Sequence, residues 1–264
     1  MISLSDANRI VVKVGTSTLT YDTGKLNLKR MDKLVRVICD MQNSGRQMLL
    51  VTSGAIAVGV DKLGLDGRPK ETRGKQAAAA VGQCELMYVY DKLFSDYSRN
   101  VAQVLLTRDV VDDAHRKQNV INTFETLLEM DVIPIINEND TVAIDELDEL
   151  VFGDNDTLSA VVASIVDADL LILLSDIDGL YDADPRADKN AKRIPVVREI
   201  TDEIRALGGD AGTSRGTGGM ITKISAAETA MAAHVDMVIA NGENPELIYD
   251  ILDGKDVGTI FTKK

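Results

Sequence analysis

Short apolar runs alternate with longer amphipathic stretches along the whole 264-residue chain, and this rhythm limits the fold more than any other feature. The runs RIVVKV (9–14), QMLLVT (47–52), VAQVLLT (101–107), VIPIIN (132–137), LLILLS (170–175), MVIAN (237–241) and GTIF (258–261) read as strands. Most are continuously apolar, as strands covered on both faces are, and the gaps between them hold amphipathic stretches of helical length. Helical periodicity predicts helices over 28–43, 74–97, 116–129, 156–166, 219–233 and 245–253. A mostly parallel α/β sheet follows. Segment 178–198, with Asp178-Gly179 and Asp184-Pro185, is rich in turn residues and is expected to leave the sheet as a loop or hairpin.

The length and a hydrophobic fraction of 45% suit one large domain spanning 1–264, and no repeat or Pro/Ser/Gly-rich linker marks a boundary. Lys+Arg 29 against Asp+Glu 42 gives a net charge of -13, which disfavours a nucleic-acid backbone as partner. Cys39 and Cys84 both fall in apolar helical patterns without metal spacing and read as core thiols in a reducing compartment. The start, MISLSDANRIVVKVG, lacks the charge and apolar run of a signal segment, and no stretch approaches the ~18 apolar residues of a membrane span. A cytoplasmic location is expected.

In open α/β sheets ligands sit at the carboxyl ends of the strands. Here those ends are polar and small, at Lys13–Ser17, Thr52–Ala55, Asn137–Asp140 and Ser175-Asp176, and all are expected to face one cleft. Lys13 interrupts an apolar strand, where an ammonium is costly unless an anion meets it or the strand end lets it snorkel to water. Ser53-Gly54 stands between a strand and a helix, a position that suits either an N-cap or the binding of a carboxylate or phosphate. The tetrads Asn137-Glu138-Asn139-Asp140 and Gly153-Asp154-Asn155-Asp156 combine amides with carboxylates, the chemistry that holds an α-amino acid by its ammonium and carboxylate. At least one of Asp154, Asn155 and Asp156 is expected to cap the following helix. The acidic linker 141–153 reads as a solvated loop.

Two further stretches bear on phosphate binding. In SDIDGLYDADPR the aspartates imitate a calcium loop, but Leu180 and Tyr181 stand where a ligand and the turn glycine belong, so a nucleotide-contacting turn fits better. In GTGGMITK (216–223) the spacing matches neither Walker A nor the dinucleotide fingerprint. Glycines at a helix start still let backbone N–H groups approach phosphates, and Lys223 one turn in supplies a point charge. Two lysines from distant segments with several Asp and Asn groups suggest phosphoryl transfer.

The blocks VVKVGTSTLT, VTSGAIAVG, QAAAAVGQ, VLLTR, PIINENDTV, FGDNDTLSA, SDIDGLYDADPR and GTGGMITK, in this order from about Arg9 to Phe261, resemble the amino acid kinase family. The pairing of INEND with GDND resembles its branch acting on glutamate. That resemblance implies a three-layer αβα sandwich around a mostly parallel sheet, with glutamate over the N-terminal half and ATP over the C-terminal half. It implies transfer of phosphate from ATP to the γ-carboxylate of L-glutamate, the first step of proline biosynthesis. Lys13 and Lys223 would neutralise the transferring group and Asp156 would hold them. Ser53, Asp140 and Asn155 would contact glutamate. Lys13, Ser175, Asp176, Thr217, Gly218, Gly219, Met220, Ile221, Thr222 and Lys223 would contact ATP. Mg2+ would travel on ATP, with no protein ligand named. The resemblance further implies a homo-oligomer, dimer or tetramer, and feedback inhibition by proline. Many members of the branch carry a C-terminal domain of the pseudouridine-synthase kind, and a form lacking it is expected here. The competing readings are a different acceptor (carbamate, aspartate or a nucleoside monophosphate) and a catalytically silent ligand sensor.

Overall fold

The computed structural model describes residues 4–142, 154–209 and 219–263. In chain order the first half comprises β1 (Arg9–Val14), α1 (Thr16–Leu19), α2 (Leu28–Asn43), β2 (Gln47–Val51), α3 (Ala55–Leu63), α4 (Thr72–Ser95), β3 (Val101–Leu106), α5 (Arg108–Asp112), α6 (Ala114–Glu129) and β4 (Ile133–Glu138). The second half follows with α7 (Asn155–Ile165), β5 (Leu170–Ser175), β6 (Val196–Val197), α8 (Asp202–Ala206), α9 (Met220–Ala232), β7 (Asp236–Asn241), α10 (Leu247–Leu252) and β8 (Gly258–Phe261).

The strands form one sheet in the order β3-β4-β2-β1-β5-β7-β8-β6. All neighbours pair in parallel except β7 and β8, whose register sets Met237 against Phe261. From β1 and its neighbour β2 the chain runs to the edge strand β3 and comes back to fill β4 between β3 and β2, then crosses to the other flank of β1 with β5, where Lys13 lies opposite Leu173. The order therefore reverses at β1, and the crevice at such a switch point opens at the strands' carboxyl ends.

Strand residues alternate between two cores. Ile10, Val12 and Val14 face a layer containing Met31, Leu34 and Ile38 of α2, Leu86, Tyr90 and Phe94 of α4, and Ile248 of α10. Val11 faces the opposite layer, with Phe124 of α6, Leu158 and Val162 of α7, and Ile224 and Ala230 of α9. Each fully buried side chain of this size stabilises the fold by roughly 1.5–3 kcal/mol. The same alternation gives Lys13 the parity of Val11, which directs it to the layer where α7 and α9 begin.

α3 and α4 cross with their backbones in contact. A Cβ on Gly59 would lie 1.8 Å from the Ala78 carbonyl oxygen, and one on Gly82 would lie 1.8 Å from that of Ala55. Only hydrogen fits at either position.

Three expectations need correction. Cys39 is buried but Cys84 is exposed, because the alanine-rich α4 has small residues on several faces and its apolar pattern does not single out one inward stripe. Segment 178–198 forms the expected hairpin, with Tyr181 bridging Arg193 antiparallel, but it does not stay outside the sheet: Val196–Val197 returns as the edge strand β6 beside β8. Two residues after Pro195 are too few to carry a strand signature. Ser53 is not the N-cap of α3; Gly54 is, at φ 93, a left-handed conformation that glycine adopts without strain. Among the described residues, no helix is long and apolar enough to cross a membrane.

Candidate active site at the carboxyl ends of the strands

Lys13 is the fifth residue of β1 and only 7% exposed. Its Nζ lies 2.6 Å from Asp156 Oδ1 and 4.0 Å from Asp154 Oδ1. Lys223, one turn into α9, places Nζ 3.0 Å from the other oxygen, Asp156 Oδ2. One carboxylate thus divides its two oxygens between two ammonium groups from distant segments. Burial alone would lower the Lys13 pKa, but Asp156 and Asp154, the hydrogen bond to Asp156 and the more distant Asp176 hold it above the usual lysine value. Burial likewise opposes ionisation of Asp156, and Lys13 and Lys223 outweigh it, so its carboxyl lies below the ordinary aspartate range.

The start of α7 supplies the carboxylates. Asp154 is the N-cap, its side chain accepting from the Asp156 N–H at 2.9 Å. The Thr222 hydroxyl lies 3.0 Å from Asp154 Oδ2 and 3.2 Å from Asp156 Oδ2. It thereby ties α9 to α7.

Asn155, between these aspartates, turns its amide nitrogen toward the ends of β2 and β4. Nδ2 lies 2.6 Å from the Thr52 carbonyl, 2.9 Å from Ser53 Oγ and 2.8 Å from Asn137 Oδ1. These groups line a cleft of about 400 Å³ that also takes in Lys13, Asp140, Ser175, Asp176 and Lys223. Burial raises the Asp140 carboxyl above the ordinary range, with Arg68 partly offsetting the effect.

A second cavity, of about 370 Å³, lies over the C-terminal half between the turn after β5 and the start of α9. Leu180, Pro185, Leu207 and Met220 give it apolar walls, and Asp176 and Lys223 belong to both cavities. Gly219 caps α9 without a side-chain hydrogen bond. Among the described residues, the backbone N–H groups of that first turn therefore meet no side-chain cap.

The structure therefore gathers Lys13, Ser53, Asp140, Asn155, Asp156, Ser175, Asp176 and Lys223 in one cleft, with Met220 and Gly219 lining the adjoining cavity. Thr222 stands at the carboxylates. Ile221 is 55% exposed and lines neither cavity. Thr217 and Gly218 lie outside the described residues, as does most of the acidic linker expected over 141–153. Asn137 and Asp154, which belong to the quoted tetrads, prove to be integral to the site, and so does Thr52. Arg68, also in the cleft, carried no motif; a lone arginine in a polar loop gives no signal of its destination.

The amino acid kinase family model matches residues 8–241. A glutamate 5-kinase of Clostridium perfringens is 58% identical over 263 residues, covering 99% of this chain and 98% of that protein. Glutamate 5-kinases of Listeria welshimeri and Enterococcus faecalis are each 52% identical, over 99% and 98% of this chain and 95% and 96% of their own lengths. Among solved structures, a carbamate kinase from Giardia lamblia bound to AMP-PNP superposes with a TM-score of 0.69 at 17% identity, over 98% of this chain and 100% of that one. A UMP kinase from Ureaplasma parvum gives 0.66 at 14% identity, over 97% and 99%. The two structural likenesses share the αβα sandwich, and the sequence match is nearly full length. The chain belongs to the amino acid kinase family.

Proposed function

We propose that this protein transfers the γ-phosphoryl group of ATP to the side-chain carboxylate of L-glutamate, giving ADP and γ-glutamyl phosphate, and so commits glutamate to proline synthesis. The observation that carries this reading is the junction of the two cavities at Asp176 and Lys223, beside two lysines that share one buried carboxylate. The glutamate 5-kinases at 50% identity or more supply the acceptor.

Glutamate occupies the N-terminal cleft, with Ser53, Asp140 and Asn155 engaging its α-carboxylate and α-ammonium. ATP lies over the C-terminal half along Ser175, Asp176 and the 217–223 segment. The chain works as one domain with its two halves dividing the substrates. The acceptor carboxylate is ionised at neutral pH, so no general base is needed for its attack on phosphorus. What the reaction demands is positioning and compensation of charge, which Lys13 and Lys223 provide as negative charge redistributes toward the leaving ADP. Asp156 fixes the separation and direction of the two cations.

Magnesium would be carried on the phosphates of the nucleotide substrate, where it would supply positive charge, rather than be held by protein ligands. The acidic groups of the cleft fit that role better than a dedicated cage. Both Asp156 oxygens face lysines, while those of Asp154 meet the Asp156 N–H and Thr222. Among the described residues, no cluster of three or more His, Cys, Asp or Glu side chains is placed to hold a metal ion.

Proline carries the same α-carboxylate and α-nitrogen cation as glutamate and competes for the same groups, raising the apparent KM for glutamate with little change in kcat. The enzyme works in the cytoplasm as a homo-oligomer, which sedimentation of the purified protein tests. The activity itself is tested by glutamate-dependent ADP release, with γ-glutamyl phosphate trapped as the hydroxamate. A higher kcat/KM with carbamate, aspartate or a nucleoside monophosphate would overturn the assignment.

A further inference from the structure

We propose that Gln83, a residue of α4 that lines neither cavity, is a positioning residue for recognition of the substrate's α-ammonium group. It acts through Asn137 on Asn155. The inference rests on the glutamate-binding role proposed above.

Backbone groups fix the orientation of the two asparagine amides, and that of Gln83 follows from Asn137. Asn155 Nδ2 faces the Thr52 carbonyl at 2.6 Å, which accepts and cannot donate. Asn137 Oδ1 accepts from the Glu138 N–H at 2.9 Å, which donates and cannot accept. The same Asn137 oxygen accepts from Asn155 Nδ2 at 2.8 Å. Asn137 must then direct its own Nδ2 away from the cleft, and it does so into Gln83 Oε1 at 2.9 Å. Asn137 is 2% and Gln83 7% exposed, so water does not substitute freely for either partner.

Gln83 holds this orientation at a cost. Its Nε2 is buried and has no hydrogen-bond partner among the described residues. Turning the amide over would set two N–H donors against each other and break the one contact Asn137 Nδ2 makes among the described residues. The orphaned donor is thus the consequence of presenting an oxygen to Asn137.

The far end of the series faces the cleft. With Nδ2 committed, Asn155 is left with Oδ1 as the acceptor it offers to a ligand, suited to an ammonium group. Asn155 Nδ2 shares its two protons among three acceptors, of which Ser53 Oγ lies 2.9 Å away; because Nδ2 cannot accept, the Ser53 hydroxyl proton stays available to donate to a carboxylate. The pair reads the polarity of an α-amino acid, and Gln83 holds the end of the series remote from the ligand.

The test compares Gln83→Leu and Gln83→Met, which lack the acceptor at similar volume, with Gln83→Glu, which keeps an oxygen toward Asn137. The readout is the KM for glutamate, the KM for ATP, and the inhibition constant of glutarate, which lacks the α-amino group. Loss of the acceptor is expected to raise the glutamate KM on the order of tenfold, with the ATP KM and the glutarate constant nearly unchanged. Gln83→Glu is expected to recover most of the lost discrimination. The Met variant carries the comparison should the Leu variant not fold. Equal weakening of glutamate and glutarate, or an unchanged glutamate KM in both apolar variants, overturns the inference while leaving the proposed activity standing. Wild-type protein without glutamate-dependent ADP release removes both.

Discussion

Arg9 and Lys13 stand at opposite ends of β1, and the protein meets their charges in different ways. Arg9 forms a two-pronged ion pair with Glu125, at 2.7 and 3.1 Å, and also donates to Gln47 Oε1 at 2.8 Å and to the Val166 carbonyl. Its side chain is 18% exposed and that of Glu125 is 42% exposed. Four of its five N–H donors are engaged in these bonds, and solvent reaches the pair. Around Lys13 the side-chain exposures are 9% for Lys13, 1% for Asp156 and 7% for Lys223. There one carboxylate serves two ammonium groups. A buried arrangement of this kind is poor value for stability, since desolvation offsets most of the attraction. It is well suited to receiving a further anion. One end of the strand is built for the fold and the other for a ligand.

The largest expected effect separates these two ends by stability. Asp156→Ala leaves two buried cations facing each other and should cost about 3–5 kcal/mol in urea denaturation. A loss no greater than that of Arg9→Met would erase the distinction drawn between the two clusters. Next in size, Lys13→Ala and Lys223→Ala should each lower kcat on the order of a hundredfold, equivalent to ~3 kcal/mol, with ATP binding far less affected. Steady-state rates across ATP concentrations check this, and near-normal kcat in either variant would remove that lysine from the chemistry.

Acidity sharpens the comparison further. Asp156 has a depressed folded pKa, so its contribution is present above the ordinary aspartate value of about 3.9 and is lost as pH falls through the depressed one. Lys13 has a raised folded pKa, so its contribution is complete below the ordinary lysine value of about 10.4 and is lost as pH rises through the raised one. The cluster therefore stays intact across the whole neutral range. Asp140 behaves oppositely to Asp156: its folded pKa is raised, its protonated form is favoured by the fold, and ionising it costs stability. The KM for glutamate should therefore climb as pH drops toward that raised pKa, while the KM for ATP stays level; parallel pH profiles for both substrates would dissociate Asp140 from the amino acid. The smallest effect belongs to Arg9→Met, expected to lower stability by about 1 kcal/mol with unchanged kinetics and to shrink further in salt.

The sequence made Lys13 visible because a lysine within an apolar strand demands an explanation, and it made the polar strand ends visible because α/β sheets bind ligands there. The strand bounds were also readable: RIVVKV and LLILLS match β1 and β5 residue for residue. Contacts that depend on which way a helix faces were not readable. Gln83 and Tyr90 lie seven residues apart on α4, and each reaches a strand end, Gln83 at Asn137 and Tyr90 at the Thr52 hydroxyl 2.9 Å away. In a helix with so many alanines, periodicity does not reveal the face that packs on the sheet, and Cys84 was misassigned to the core for the same reason. The amide orientations around Asn155 are equally hidden, because a side chain that donates and accepts carries no label in one dimension.

The α3 and α4 crossing has a consequence for how the cleft breathes. Gly54 and Ala55 form part of the cleft wall, and the Ala55 carbonyl oxygen lies where a Cβ on Gly82 would be only 1.8 Å away. With backbone on backbone there is no layer of side chains to act as a bearing, and neither helix slides or swivels without the other. The amide protons of Ala55–Gly59 and those of Ala78–Gly82 are therefore expected to exchange for deuterium with a shared free energy, which hydrogen-exchange measurements check. The Gly54–Ala55 side of the cleft is in this respect a solid corner rather than a mouth.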